Sequence, residues 1–145
     1  MKKAEARSQI KKRRYNRGLW AEYLATIYLF LKGYKILKNR YKTPVGEIDI
    51  IARKKHVIVF VEVKTRKTIE DGLHAITSRS MQRITRAAQY FEMKHYEMAN
   101  SHDTGPDKQF IKARFNPYGQ SARFDVIIWA GWRIRHIQNA WDVNL

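Results

Sequence analysis

The stretch from Val57 to Thr65 (VIVFVEVKT) constrains this chain more than any other segment. Val57 to Val61 are all β-branched or aromatic, and the run is apolar at every position instead of every second one. Such a segment favours a strand in the middle of a sheet, covered on both faces. Two charges, Glu62 and Lys64, then enter at its end. Residues two apart in a strand share a face, so these two project together, about 7 Å apart along the strand. Charges closing an otherwise buried strand are a local conflict, and conflicts of this kind tend to mark function.

The flanking segments supply the rest of a sheet. Glu47 to Arg53 reads as the preceding strand, joined to the central one by a tight basic turn at Lys54, Lys55 and His56. Tyr34 to Tyr41 reads as a further strand, closed by a turn from Thr43 to Gly46. Upstream, Gly18 to Lys32 has helical periodicity, with Trp20, Leu24, Ile27, Tyr28 and Leu31 as the expected buried stripe and Gly33 as a left-handed C-cap. Downstream, a loop around Asp71 and Gly72 leads to a second helix capped by Thr77 or Ser78. Ile84, Ala87, Ala88, Phe91 and His95 form one face of that helix, and Arg79, Arg83 and Arg86 form another. Residues 100–121 read as a long loop, and two strands, 122–130 and 132–138, turn at Gly131. Helix, three strands, helix and two strands predict an α/β fold: a mixed sheet of about five strands flanked by two main helices. At 145 residues the chain holds one core, assigned to residues 18–145.

Charge decides the class of partner. Lys and Arg total 29 against 13 Asp and Glu, a formal net charge of +16. That excess repels itself and attracts polyanions, nucleic acid first and an anionic membrane surface second. Residues 1–17 concentrate the charge and read as a flexible basic arm that contacts phosphates; they lack the apolar run of a signal peptide. The candidate phosphate contacts are Arg13, Arg14, Lys54, Lys55, Arg66, Arg79, Arg83 and Arg86. No cysteine is present, which removes disulfides, thiolate nucleophiles and cysteine zinc sites and fits a reducing cytoplasm. The five histidines have no paired zinc spacing, and there is no P-loop or dinucleotide fingerprint.

The chemistry centres on Asp49, Glu62 and Lys64. Asp49 interrupts its strand between Ile48 and Ile50, and pairing through the turn at 53–56 brings it near Glu62. Two carboxylates on adjacent strands repel unless a cation lies between them, and a hard divalent ion such as Mg²⁺ or Mn²⁺ suits them. An ammonium beside that ion can orient water and stabilise charge on a phosphate, which is the role open to Lys64. A plain strand-end ion pair between Glu62 and Lys64 is the structural alternative. Glu22 is the one charge between Arg17 and Lys32, and it either faces solvent or reaches a cation. Glu47 is a further ligand or an exposed neighbour. Trp129, Trp132 and Trp141 fall together in the last strands and tail, as core or as the contact surface of a homodimer.

These pieces together carry a resemblance. Gly18, Glu22 and Ala25 (GxxxExxA), Lys32–Leu37 (KGYKIL), Gly46–Ala52 (GEIDIIA), Phe60–Arg66 (FVEVKTR), Arg123–Val126 (RFDV) and Ile137–Ala140 (IQNA) resemble the YraN-type family of small bacterial proteins regarded as endonucleases. The order of helix Glu, strand Asp and Glu-x-Lys is also similar to archaeal Holliday junction resolvases. The resemblance implies the restriction-endonuclease-like fold, with Asp49, Glu62 and the Val63 carbonyl as metal ligands, Lys64 as the catalytic lysine and Glu22 as the helix acid. It implies hydrolysis of DNA, structured or branched, ahead of RNA. The alternative is a nucleic-acid-binding module that keeps the fold without catalysis. The chain departs from the family where a lysine often opens the second helix, since Arg79–Gln82 reads RSMQ here, and in the length of the 100–121 loop.

Overall fold

The computed structural model describes residues 2–100 and 121–142. In chain order they form α1 (Lys2–Leu31), β1 (Lys35–Thr43), β2 (Gly46–Lys54), β3 (Val57–Arg66), α2 (Ile69–His74), α3 (Ser78–Asn100), β4 (Ser121–Ala130) and β5 (Arg133–Trp141). The five strands make one sheet in the order β1-β2-β3-β4-β5. All neighbours are antiparallel except β3 and β4, which pair in parallel without a break from Val57↔Ser121 to Arg66↔Ala130. A parallel pair needs a long crossover, and α2 and α3 lie within it.

Strand β3 is the predicted central strand, with a helical layer on either face of the sheet. On one face Ile48, Ile51, Ile58 and Phe60 pack with Ile84, Ala87, Ala88 and Phe91 of α3. On the other, Ile50, Ala52, Val59 and Val61 pack with Ala25 and Leu29 of α1. The arginine face of α3 points outward as expected, with Arg79, Arg83 and Arg86 all exposed. Thr77 caps α3 in a reciprocal pair: Ser80 N–H donates to Thr77 Oγ1 at 3.2 Å and Thr77 N–H to Ser80 Oγ at 3.1 Å. Gly33, at φ 80°, ends α1 in the left-handed conformation, and Tyr34 N–H reaches back to the Leu29 carbonyl.

Three expectations change. Helix α1 begins at Lys2, so residues 2–17 of the segment expected as an arm belong to the helix. No Gly or Pro interrupts residues 2–17, and their Lys, Arg, Ala, Glu and Gln are strong helix formers. The buried stripe of α1 is also displaced. Ala21, Ala25 and Leu29 face the sheet with Tyr28 of the expected stripe packed beside them, whereas Trp20 is 65% exposed and Leu31 77% exposed. The helix is apolar on nearly all sides here, so periodicity does not choose a face, and the small alanines let the backbone approach the bulky Val59 and Val61 closely. Finally, the expected loop at Asp71 and Gly72 is the short helix α2, capped by Thr68 Oγ1 accepting from Asp71 N–H at 3.0 Å. The long loop expected at 100–121 falls at 101–120 outside the described residues.

A buried carboxylate ties β4 to β5. Asp125 is fully buried and accepts from Arg123 Nε and Nη2, both at 2.8 Å, and from Asn139 N–H at 3.0 Å, while His136 Nε2 lies 2.8 Å away. Burial alone would raise its pKa, but the contacts to His136, Arg123 and Asn139 outweigh it and hold the carboxyl below its ordinary range. Arg123 also donates to the Tyr34 hydroxyl at 2.9 Å, which anchors the start of β1. Replacing Asp125 with Ala leaves the Arg123 guanidinium without its carboxylate, and the expected loss is about 3–5 kcal/mol in urea unfolding. A loss below about 1 kcal/mol would show that this cage contributes little.

Candidate active site

The first residues of β2 and the last of β3 lie at the same end of the sheet because the two strands run antiparallel. Their pairing extends from Lys54↔Val57 to Ile50↔Val61 and no further. Beyond Ile50 the strands part, and the Asp49 side chain fills the opening: its Oδ2 accepts from the Val63 N–H at 2.7 Å. Alternation in β2 breaks at the same place, since Ile48 and Ile50 lie two apart yet join opposite core layers. Gly46 lets α3 pack closely against the start of β2. A Cβ there would lie 3.0 Å from the Arg83 carbonyl of α3, a backbone atom with little freedom to yield.

Asp49 feels the charges of both Glu62 and Lys64 at this end of the sheet. Lys64 Nζ pairs with Glu62 Oε1, with both side chains largely shielded from solvent. Burial first, and the Glu62 charge next, push the Asp49 carboxyl up to about 8, against the opposing pull of the Val63 N–H and of Lys64. Glu22 comes to the same region from α1. Its pKa is raised by burial, with Arg40 opposing and Glu47 and Glu62 adding to the rise. Glu22 Oε2 is buried without a hydrogen bond, although Arg40 Nε lies 3.5 Å away.

Sequence reasoning missed Arg40. Its Nε lies 3.3 Å from Glu47 Oε1, and its Nη1 donates to the Tyr15 hydroxyl at 3.2 Å, so one guanidinium joins α1 to β2. Arg40 has φ 50°, a left-handed conformation that non-glycine residues adopt at some cost. Nothing in the residue pattern of β1 signals it. Glu47, left open as a ligand or a neighbour, is the partner of Arg40.

A cleft of about 500 Å³ opens between α1 and the end of β3, lined by Arg17, Gly18, Glu22, Val63, Lys64, Thr65, Arg66 and Lys67. Arg66 was expected as a phosphate contact; Lys67 joins it on the β3 wall, and Arg17 adds a cation on the α1 wall. The other cations are dispersed. Lys54 and Lys55 sit at the opposite end of β3, roughly 25 Å from Lys64 at the strand rise, with Lys54 Nζ 4.6 Å from the Tyr34 ring centroid. Arg79, Arg83 and Arg86 lie on α3, across the sheet from α1. Arg13 is exposed one turn before Arg17, and the Arg14 side chain lies outside the described residues. The tryptophans do not cluster either. Trp141 is buried and stacks on Phe124, Trp129 lies in the α1 layer, and Trp132 stands 91% exposed at the β4–β5 turn.

The donor set suits Mg²⁺, which takes one or two carboxylates and completes its octahedron with water and phosphate oxygens. Among the described residues no three Asp, Glu or His side chains form a group able to hold an ion. A cation at Asp49 and Glu62 would thus draw its remaining ligands from backbone, water or substrate. The raised Asp49 pKa has a definite consequence. Folding favours its protonated form, so that contribution is complete below the ordinary value of 3.8 and is lost as pH climbs toward about 8. In metal-free buffer the melting temperature is expected to fall over this range, and Asp49→Asn should flatten the fall and raise stability at pH 8. Mg²⁺ or Mn²⁺ should restore the wild type at pH 8 by binding the carboxylate form. An Asn variant as pH-sensitive as the wild type would contradict the assignment.

Comparison with known proteins agrees with the motifs. The profile described as "Uncharacterised protein family UPF0102" matches residues 21–128. A UPF0102 protein of Nitrobacter winogradskyi is 39% identical over 131 residues, covering 90% of this chain and 95% of the relative. One from Rhodopseudomonas palustris strain HaA2 is 46% identical over 131 residues, covering 90% and 88%. One from Bradyrhizobium diazoefficiens is 44% identical over 111 residues, covering 77% and 83%. With a profile match that takes in Glu22, Asp49, Glu62 and Lys64, the chain belongs to the UPF0102 family, the YraN-type family that its motifs resemble.

Proposed function

We propose that this protein is a divalent-metal-dependent nuclease of the cytoplasm that hydrolyses phosphodiester bonds in DNA, structured or branched DNA above all. One observation carries the reading. Asp49 is half-buried with its pKa lifted to about 8 beside Glu62, and it is bonded to the backbone immediately before Lys64, which lines a cleft rimmed by Arg17, Arg66 and Lys67. A carboxylate this poorly solvated favours a cation beside it, and the cations at the rim favour a polyanion in the cleft.

Asp49 and Glu62, with the Val63 carbonyl, would hold Mg²⁺ or Mn²⁺. Such an ion would supply Lewis acidity, lowering the pKa of a bound water and offsetting charge on the phosphate. Arg17, Arg66 and Lys67 bind the DNA backbone, giving affinity without sequence choice. Lys64 holds the reacting phosphate and stabilises the charge that develops on it. Glu22, with its pKa raised and one oxygen free of hydrogen bonds, can hold a proton at the cleft wall. A second reading, a binding module without catalysis, is favoured by the chain's own neutralisation of Glu62 by Lys64 and of Glu22 by Arg40.

Cleavage of labelled single-stranded, duplex, flap and four-way-junction DNA, with a structured RNA for comparison, separates the two readings. Cutting is expected with Mg²⁺ or Mn²⁺ and not with EDTA, and Lys64→Ala should reduce it on the order of 100-fold or more while binding persists. Binding should weaken steeply with salt, and Arg66→Ala should lower the slope by about one counterion. Cutting in EDTA, or undiminished by Lys64→Ala, would refute the assigned chemistry. Tight binding with no cutting of any substrate would leave the binding module.

A further inference from the structure

The outer face of α1 has a composition that water does not favour. Between Arg17 and Lys32 its only charge is Glu22, which turns toward the cleft and Arg40. Trp20, Tyr23, Leu24, Ile27, Phe30 and Leu31 are exposed by 65, 59, 43, 38, 68 and 77%. Their spacing of three and four residues is that of a helix–helix seam, yet the sheet-facing positions of α1 are Ala21, Ala25 and Leu29. At typical side-chain areas the six leave about 700 Å² accessible, against about 800 Å² per partner in an interface of ordinary size. Aromatic enrichment with depletion of charge is also the composition of an interface core.

We propose that this face is the interface of a two-fold homodimer in which α1 of one copy lies antiparallel on α1 of another. Charge selects the direction. Lys11, Lys12, Arg13 and Arg17 occupy the exposed N-terminal half of α1. A parallel pair would set these cations side by side, whereas an antiparallel pair centred between Leu24 and Ile27 carries the two basic halves apart. In that register Trp20 of one copy is level with Leu31 of the other. A lipid surface is the competing occupant. Helices that lie in a bilayer surface carry cations along the flanks of the apolar face, whereas here they continue beyond one end of it.

The test is sedimentation of the full chain at micromolar concentration, without DNA and at physiological salt. A dimer is expected. The double variant Trp20→Glu, Phe30→Glu changes only exposed positions and should sediment as a monomer with an unchanged circular dichroism spectrum. The chain has no cysteine, so single introduced cysteines report direction. At about 1.5 Å per residue, two copies of position 27 lie about 5 Å apart along the axis, and two copies of position 20 about 16 Å. Ile27→Cys should therefore crosslink to itself on mild oxidation and Trp20→Cys should not. A monomeric wild type, a dimer indifferent to the double variant, or equal crosslinking at both positions would overturn the proposal. So would co-sedimentation of a monomeric wild type with phosphatidylglycerol vesicles that the double variant abolishes.

Discussion

Strand β3 is enclosed on all four sides, by β2 and β4 at its edges and by helical layers on its faces, and the rest of the molecule depends on that enclosure. Burying each large apolar side chain of Val57 to Val61 contributes roughly 1.5–3 kcal/mol relative to exposure. Against this stands Asp49. Holding a carboxyl at about 8 instead of 3.8 corresponds to on the order of 5 kcal/mol against its ionised form. A few side chains of the strand offset that cost, so the fold can hold a poorly solvated acid at the point where β2 and β3 separate. The unbroken ladder to β4 keeps the end of β3 straight, and Val63 can then offer its N–H to Asp49 instead of to a neighbouring strand.

The acids at this end of the sheet differ in what they pair with. Glu62 has Lys64, and Glu22 and Glu47 share Arg40, whereas the bond recorded for Asp49 is to a backbone N–H. One backbone N–H, with Lys64 adding less, does not offset the desolvation of Asp49 and the neighbouring Glu62 charge. The contrast with Asp125 is instructive. That carboxylate is more completely buried, but a guanidinium, an imidazole and an amide surround it, and its pKa goes down. Two aspartates in one sheet are thus pushed in opposite directions by their surroundings: one ties β4 to β5, and the other stands where β2 and β3 part.

The sequence by itself determined the sheet and the central trio. An apolar run ending in Glu62 and Lys64, a preceding strand broken by Asp49, and a basic turn of three residues between them leave little choice of register, because a slip of one residue would move every side chain to the other face. Gly33 and Thr77 marked helix boundaries for equally local reasons, a left-handed residue and a hydroxyl cap.

What the tertiary structure alone decided are choices between locally equivalent options. Helix α1 offers an apolar surface in almost every direction, and the close approach of Ala21 and Ala25 to the sheet chose which side is covered and which is left bare. Arg40 is one of 29 cations until the fold of β1 against α1 puts it between Glu22 and Glu47. Lys54 and Lys55 lie only a strand's length along the chain from Lys64, yet that extended strand carries them to the far end of the sheet, while Arg17, from another element, closes on the cleft. Periodicity and spacing are properties of one element and can be read along the chain. The choice of face, the pairing of charges and the convergence of distant cations depend on how elements pack, and they are settled only when the layers meet.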